Sequence, residues 1–261
     1  MYRRIPEALV VAVTIITTIL VVTISSRPQV AFEPPYLSLI LQTVFITLGY
    51  SLVAYVAAKS YLTTHPPIFL MLGSGVLAAA SGGFVALVFP SDPNTLVTVL
   101  NVGYFLSAVL QATSAATLFR NSGPPGSSRF NRTKLIASYS AVLIVVSLLG
   151  IAAFQGITPA FFVQGVGPTP LRQVVVGVSI ILFASASLIF FKFYRESHSN
   201  ILYWYCLALA LMTDGLVALF FARVLGGALS WTGRVAQYLS GIYLLLLVIT
   251  SATGKGKMQP D

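Results

Sequence analysis

Charge is what this sequence has least of. Only 8% of its 261 residues are Asp, Glu, Lys or Arg, against about 25% in an ordinary soluble domain. Acidic side chains are the scarcer sign, with 6 against 15 basic ones. A chain this poor in charge cannot cover a water-facing surface, which excludes a soluble globular domain and leaves lipid as its main solvent. The single cysteine, Cys206, excludes an internal disulfide and reads as a small apolar helix residue. The two histidines, His65 and His198, both fall in loops, which argues against a haem held between helices. One cysteine and two histidines also leave no cluster for zinc or an iron–sulfur centre. No glycine-rich phosphate loop follows a strand. No paired acids or Ser–His–Asp set is placed for hydrolysis, and no lysine lies mid-span for a retinal-type Schiff base. The expectation is a non-enzymatic chain with no cofactor and no metal.

What the sequence has in abundance is apolar length. Hydrophobic residues make up 57% of it and the mean hydropathy is +0.90. A bilayer core of about 30 Å needs about 20 apolar residues in a helix. Eight stretches qualify: Ala8–Ser25, Tyr36–Ala58, Ile68–Phe89, Thr95–Phe119, Leu135–Phe154, Gln173–Phe191, Ile201–Ala222 and Gly233–Thr253. Proline-rich breaks such as His65-Pro66-Pro67 and Pro90-Ser91-Asp92-Pro93 separate them. The runs are too long and too uniformly apolar for barrel strands. The expected fold is all-α, a polytopic bundle of about eight transmembrane helices. Residues 1–253 form one membrane domain and 254–261 a short basic tail.

Positive charges set the expected direction. With the N-terminus inside, Arg3, Arg4, Lys59, Arg120, Arg129, Arg132, Lys134, Lys192, Arg195, Lys255 and Lys257 are cytoplasmic. Only Arg27, Arg172, Arg223 and Arg234 lie outside. This asymmetry predicts cytoplasmic N- and C-termini in the cell membrane. It assigns the net charge of +9 to topology and anionic lipid rather than to nucleic acid. The first stretch also has the order of a signal peptide, but its apolar run of about 18 residues is longer than a signal core, so a retained helix is expected. Asn131-Arg132-Thr133 matches a glycosylation acceptor but falls on the cytoplasmic side and reads as chance.

Small residues crowd the third span. Gly75 with Ala79, Ala78 with Gly82, and Ala79 with Gly83 form small-xxx-small pairs that let another backbone approach closely. Packing within the chain and a dimer face both fit. Tyr203, Trp204 and Tyr205 are expected to form a cytoplasmic aromatic belt, Trp231 the outer one, and Phe161-Phe162 a headgroup-level anchor.

Asp214 stands near the middle of the seventh span, where a charge costs about 2.5–3.5 kcal/mol on insertion scales and calls for a partner or a wet cavity. Arg234, Gln237 and Tyr238 share one face of the eighth. Gln42, Thr43, Asn101, Tyr104, Arg172 and Gln173 fall at similar depth in their own spans. The expected ligand site is Asp214, Arg234, Gln237, Arg172 and Asn101. The same residues also fit a buried polar network that fixes helix register.

Three blocks carry a resemblance. They are Gly165-Val-Gly-Pro-Thr-Pro-Leu-Arg-Gln173, Leu202-Tyr-Trp-Tyr-Cys-Leu-Ala-Leu-Ala210 and Trp231-Thr-Gly-Arg-Val-Ala-Gln-Tyr-Leu-Ser-Gly-Ile-Tyr-Leu244. Over about Pro159–Ala252 they resemble the multi-span N-terminal membrane sensor regions of prokaryotic histidine kinases, the MASE-like type. The resemblance implies a sensory or ligand-binding module. This sequence has no PAS domain, phosphoacceptor helix or ATP-binding domain, so a signal would pass to a separate cytoplasmic partner. An accessory subunit of a larger membrane complex is the second expectation, and a small-solute transporter the third.

Overall fold

In the computed structural model, residues 4–32, 34, 36–64, 67–88, 93–118, 128–163 and 165–252 are described. His65, Arg120 and the tail 254–261 lie outside the described residues. Each apolar stretch forms a helix: α1 is Arg4–Ile24, α3 Pro67–Val88, α4 Pro93–Thr117 and α5 Ser128–Phe154. Then follow α6 at Pro170–Ser197, α7 at Asn200–Phe221 and α8 at Ala228–Ala252. The second stretch, α2, runs continuously through Leu37–Leu41, Gln42–Leu48 and Gly49–Thr64. All eight are long and apolar enough to cross a membrane.

The ends follow local chemistry more than hydropathy. Pro67, Pro93 and Pro170 open α3, α4 and α6, where the missing N–H costs nothing and φ is already set. Thr169 caps α6 by accepting the Arg172 N–H at 3.4 Å. The same helix runs six residues beyond its expected end at Phe191 and stops where His198 turns left-handed at φ 51°. The middle piece of α2, Gln42–Leu48, is a π-helix, a widened geometry that is rare and concentrates at functional sites.

Six helices close into a ring. α2 packs on α3, α3 on α4, α4 on α6, α6 on α7, α7 on α8, and α8 returns to α2. α1 lies outside this ring against α7 and α8, and α5 lies outside against α3 and α4. Between α5 and α6 the chain forms a two-stranded antiparallel ribbon, β1 Phe162–Val163 on β2 Gly167–Pro168. Gly165 and Gly167 turn it with φ of 84° and 110°.

The small residues of α3 are all buried, Gly75, Ala79, Gly82 and Gly83 among them. A Cβ on Gly82 would stand 3.0 Å from the Val99 carbonyl of α4, and one on Gly83 would stand 2.6 Å from Thr47 Oγ1 of α2. One on Gly75 would meet Gln111 Nε2 of α4 at 2.7 Å. These faces are therefore occupied by neighbouring helices of the same chain. α7 and α8 cross at a reciprocal glycine pair: a Cβ on Gly215 would lie 2.8 Å from the Gly233 carbonyl, and one on Gly233 2.7 Å from the Gly215 carbonyl.

Two sequence expectations are corrected here. Tyr203 and Tyr205 do not join an aromatic belt; both are buried, while Trp204 is half-buried. Consecutive helical residues point about 100° apart, so a run of three cannot share one outward face. Phe161 is no surface anchor either. It is buried, and its N–H and that of Phe162 both donate to Asn94 Oδ1, at 2.9 and 3.2 Å.

Overpacking a tight contact costs about 1–3 kcal/mol. G215A and G233A should each lower the unfolding midpoint in detergent. G177A should leave it unchanged or higher, because its Cβ meets only Phe220 at 3.7 Å and alanine favours the helix. A G215A protein as stable as wild type would contradict this crossing.

Candidate functional site

Tyrosines and glutamines form a column of polar contacts in the interior of the ring. Tyr104 of α4 donates its hydroxyl to Gln237 Oε1 of α8 at 3.0 Å. Tyr50 of α2 donates to the Gln237 backbone carbonyl at 3.2 Å. One level away, Tyr205 of α7 donates to Gln111 Oε1 of α4, and its ring stacks on Phe190 of α6 at 4.1 Å. Ser240 of α8 donates to the Ala208 carbonyl of α7 at 2.7 Å. Tyr104 and Tyr205 thus reach across the ring between helices that are not neighbours in it, while Tyr50 and Ser240 tie neighbouring helices together.

Beside the Tyr104–Gln237 pair lies a cavity of about 60 Å³, room for a few water molecules. Gln42, Asn101, Tyr104, Arg172, Arg234 and Gln237 line it, with Ser230. These come from α2, α4, α6 and α8. Four of the five residues expected from the sequence therefore share one cavity. A second cavity of about 330 Å³ shares Gln42, Leu96, Leu100 and Arg234 with it and extends past Tyr36, Ser38 and Leu39 at the start of α2.

Arg172 is held from behind. Its Nη2 donates to the Leu219 carbonyl at 2.9 Å, and Gln173 Nε2 donates to the Phe220 carbonyl at 3.1 Å. Gln29 Nε2 donates to the Phe221 carbonyl at 3.0 Å, while its Oε1 accepts the Arg223 N–H at 2.9 Å. The last carbonyls of α7 have no intrahelical donors and carry partial negative charge. Side chains from α6 and the α1–α2 connection satisfy them. Arg172 is 5% exposed, and its Nε and Nη1 have no hydrogen-bond partner.

No protein-family model, curated protein or solved structure matches this chain. The chemistry of the site must therefore carry the functional reading.

Asp214 is not brought to the cavity. It is half-buried and accepts a 2.6 Å hydrogen bond from Thr14 of α1. Its neighbour Gly215 faces α8 at the crossing, and one residue of helical advance turns Asp214 about 100° away, towards α1. Of the other polar residues grouped with it, Thr43 donates to the Leu39 carbonyl at 2.8 Å within its own helix. Tyr238 stacks on Phe45 at 5.0 Å. Arg234 lies over the Trp231 ring, 5.4 Å from its centroid. Among the described residues no group of His, Cys, Asp or Glu could hold a metal ion.

Sequence reasoning missed Tyr50, Tyr205, Ser230 and the Gly215–Gly233 crossing. Tyr205 was hidden by its aromatic neighbours, and Ser230 by its place before the expected start of the last span. Gly215 and Gly233 lie on different helices with no shared spacing to betray them.

Removing one hydroxyl tests the column. Y104F leaves Gln237 Oε1 buried without that donor and should cost about 1–2 kcal/mol, read as a lower unfolding midpoint. Y55F is the control, since Tyr55 is 66% exposed and should change nothing. Equal midpoints for the two variants would mean that the Tyr104–Gln237 bond carries no stability.

Proposed function

We propose that this chain is a non-enzymatic, multi-pass sensory module of the cell membrane that binds a small ligand in the cavity lined by Asn101, Arg172, Arg234 and Gln237. The single observation that carries this reading is that cavity: polar side chains from four helices converge on it, Asn101, Arg172, Ser230 and Gln237 among them are buried, and some of their donors have no partner. A preformed concave site with a few convergent polar groups is the usual form of a small-molecule pocket. The π-helical turn that carries Gln42 into its wall is a further mark of a site kept for function rather than packing.

The excess of basic residues on one set of loops supports cytoplasmic N- and C-termini. The cavity then opens towards the outer surface, where α2 and α8 begin. Ligand bound there touches α8 directly through Arg234 and Gln237 and α7 through the Arg172–Leu219 bond. These are the two helices whose sequence blocks resemble the last spans of histidine-kinase membrane sensor regions. Occupancy that favours one packing of α7 against α8 would shift the population of the two states only by its differential affinity for them, and a separate cytoplasmic partner would read that shift. Transport is a weaker reading. Below the cavity the Tyr104–Gln237 and Tyr50–Gln237 bonds close the ring, whereas a carrier needs polar access from both sides.

The function is tested by purifying the tagged full chain from its native membrane in mild detergent and identifying what accompanies it. A soluble signalling protein, or no partner at all, is the expected result. A stoichiometric set of integral membrane subunits would replace the sensor reading with that of an accessory subunit.

A further inference from the structure

The inner cavity has more donors than acceptors to meet them. Arg172 presents Nε and Nη1 without partners. Gln237 is 2% exposed; Tyr104 occupies its Oε1 and its Nε2 has no partner. Ser230, 1% exposed, has an unpartnered hydroxyl. Arg234 forms the wall between this cavity and the larger one. Among the described residues no carboxylate lines either cavity. Asp214 is engaged with Thr14. Glu7 and Glu196 lie at the far ends of α1 and α6, and Glu196 is 24 residues, about 36 Å of helix, from Arg172.

Water would fill about 60 Å³ and satisfy donors, but it brings no full counter-charge to a buried guanidinium that meets only the partial negative end of α7 among the described residues. A group that only accepts hydrogen bonds and carries negative charge meets both needs. The adjoining 330 Å³ cavity differs in character. Apart from Gln42, Ser38 and Arg234, its wall is apolar or aromatic, with Leu39, Ala86, Leu96 and Leu100 prominent.

We infer that the two cavities together take a small organic anion of the carboxylate class. Its charged end lies against Arg172, Gln237 and Ser230, and its short apolar part among Leu39, Leu96 and Leu100. This inference rests on the ligand-binding reading above and specifies the chemistry of that same site.

The test is the unfolding midpoint of the full chain in an uncharged detergent and a zwitterionic buffer, titrated with sodium hexanoate, sodium chloride or hexanol. Hexanoate should raise the midpoint saturably by several degrees, while chloride and hexanol at equal concentration should not. Q237E places a carboxylate in the cavity yet still accepts from Tyr104. It should raise the midpoint without added hexanoate and abolish the hexanoate response. R234Q, which keeps the bulk of the wall, should weaken hexanoate at least tenfold. Stabilisation by hexanol equal to that by hexanoate would overturn the anion and leave a ligand site. Equal stabilisation by chloride would overturn the organic part. No response to any solute, with Q237E no more stable than wild type, would overturn the anion and the ligand site together.

Discussion

A polar side chain inside an apolar helix bundle has no solvent to fall back on, and the arrangement of this protein depends on that constraint. Away from the cavity, hydroxyls and amides in the interior are matched between helices. Tyr104 meets Gln237, Tyr50 meets the Gln237 backbone, Tyr205 meets Gln111, and Ser240 meets Ala208. Elsewhere Ser187 donates to the Cys206 carbonyl at 2.8 Å, and Tyr139 donates to the Ala54 carbonyl at 2.7 Å. Each bond between membrane-type helices is worth only about 0.6–1.7 kcal/mol, but each also fixes a register, because a helix that slid by one residue would bury both partners unpaired. The apolar faces supply bulk contact; the polar ones decide which contact.

Glycine makes these bonds reachable. α3 and α4 approach until Gly82 sits beside the Val99 carbonyl, and α7 and α8 until Gly215 and Gly233 touch each other's backbone. With those pairs in contact, the ring closes tightly enough for tyrosine to span its interior. Next to the α7–α8 crossing the packing is incomplete. The π-helical turn of α2 and the short side chain of Ser230 leave a space that Arg172, Arg234 and Gln237 enter without filling. The dense and the open parts of the bundle thus sit within a few residues of each other on α8.

The sequence made the number and the apolar extent of the helices legible, because eight uniformly apolar runs separated by proline-rich or charged breaks admit few other readings. The convergence of Asn101, Arg172, Arg234 and Gln237 was legible for a related reason. Polar residues at equal depth in different helices have nowhere to go but towards one another. Asp214 shows the limit of that argument. Depth along a helix can be counted from sequence, but azimuth cannot when the helix is apolar on every side, and Asp214 faces α1 rather than the ring. Arg172 shows a second limit. Its bond to the end of α7 depends on how α6 lies beside that end, which no local pattern encodes. The π-helix at Gln42–Leu48 was equally invisible, since nothing in Gln-Thr-Val-Phe-Ile-Thr-Leu forbids an ordinary helix.

The most direct measurement is an experimental density map of the full chain purified from its native membrane, at a resolution that shows ordered water. The account predicts a discrete non-protein density in the inner cavity, within hydrogen-bond distance of Arg172 Nε or Nη1 and of Gln237 Nε2, and extending past Arg234 into the larger cavity. A collapsed cavity, or an Arg172 guanidinium paired with a carboxylate of this chain, would contradict it.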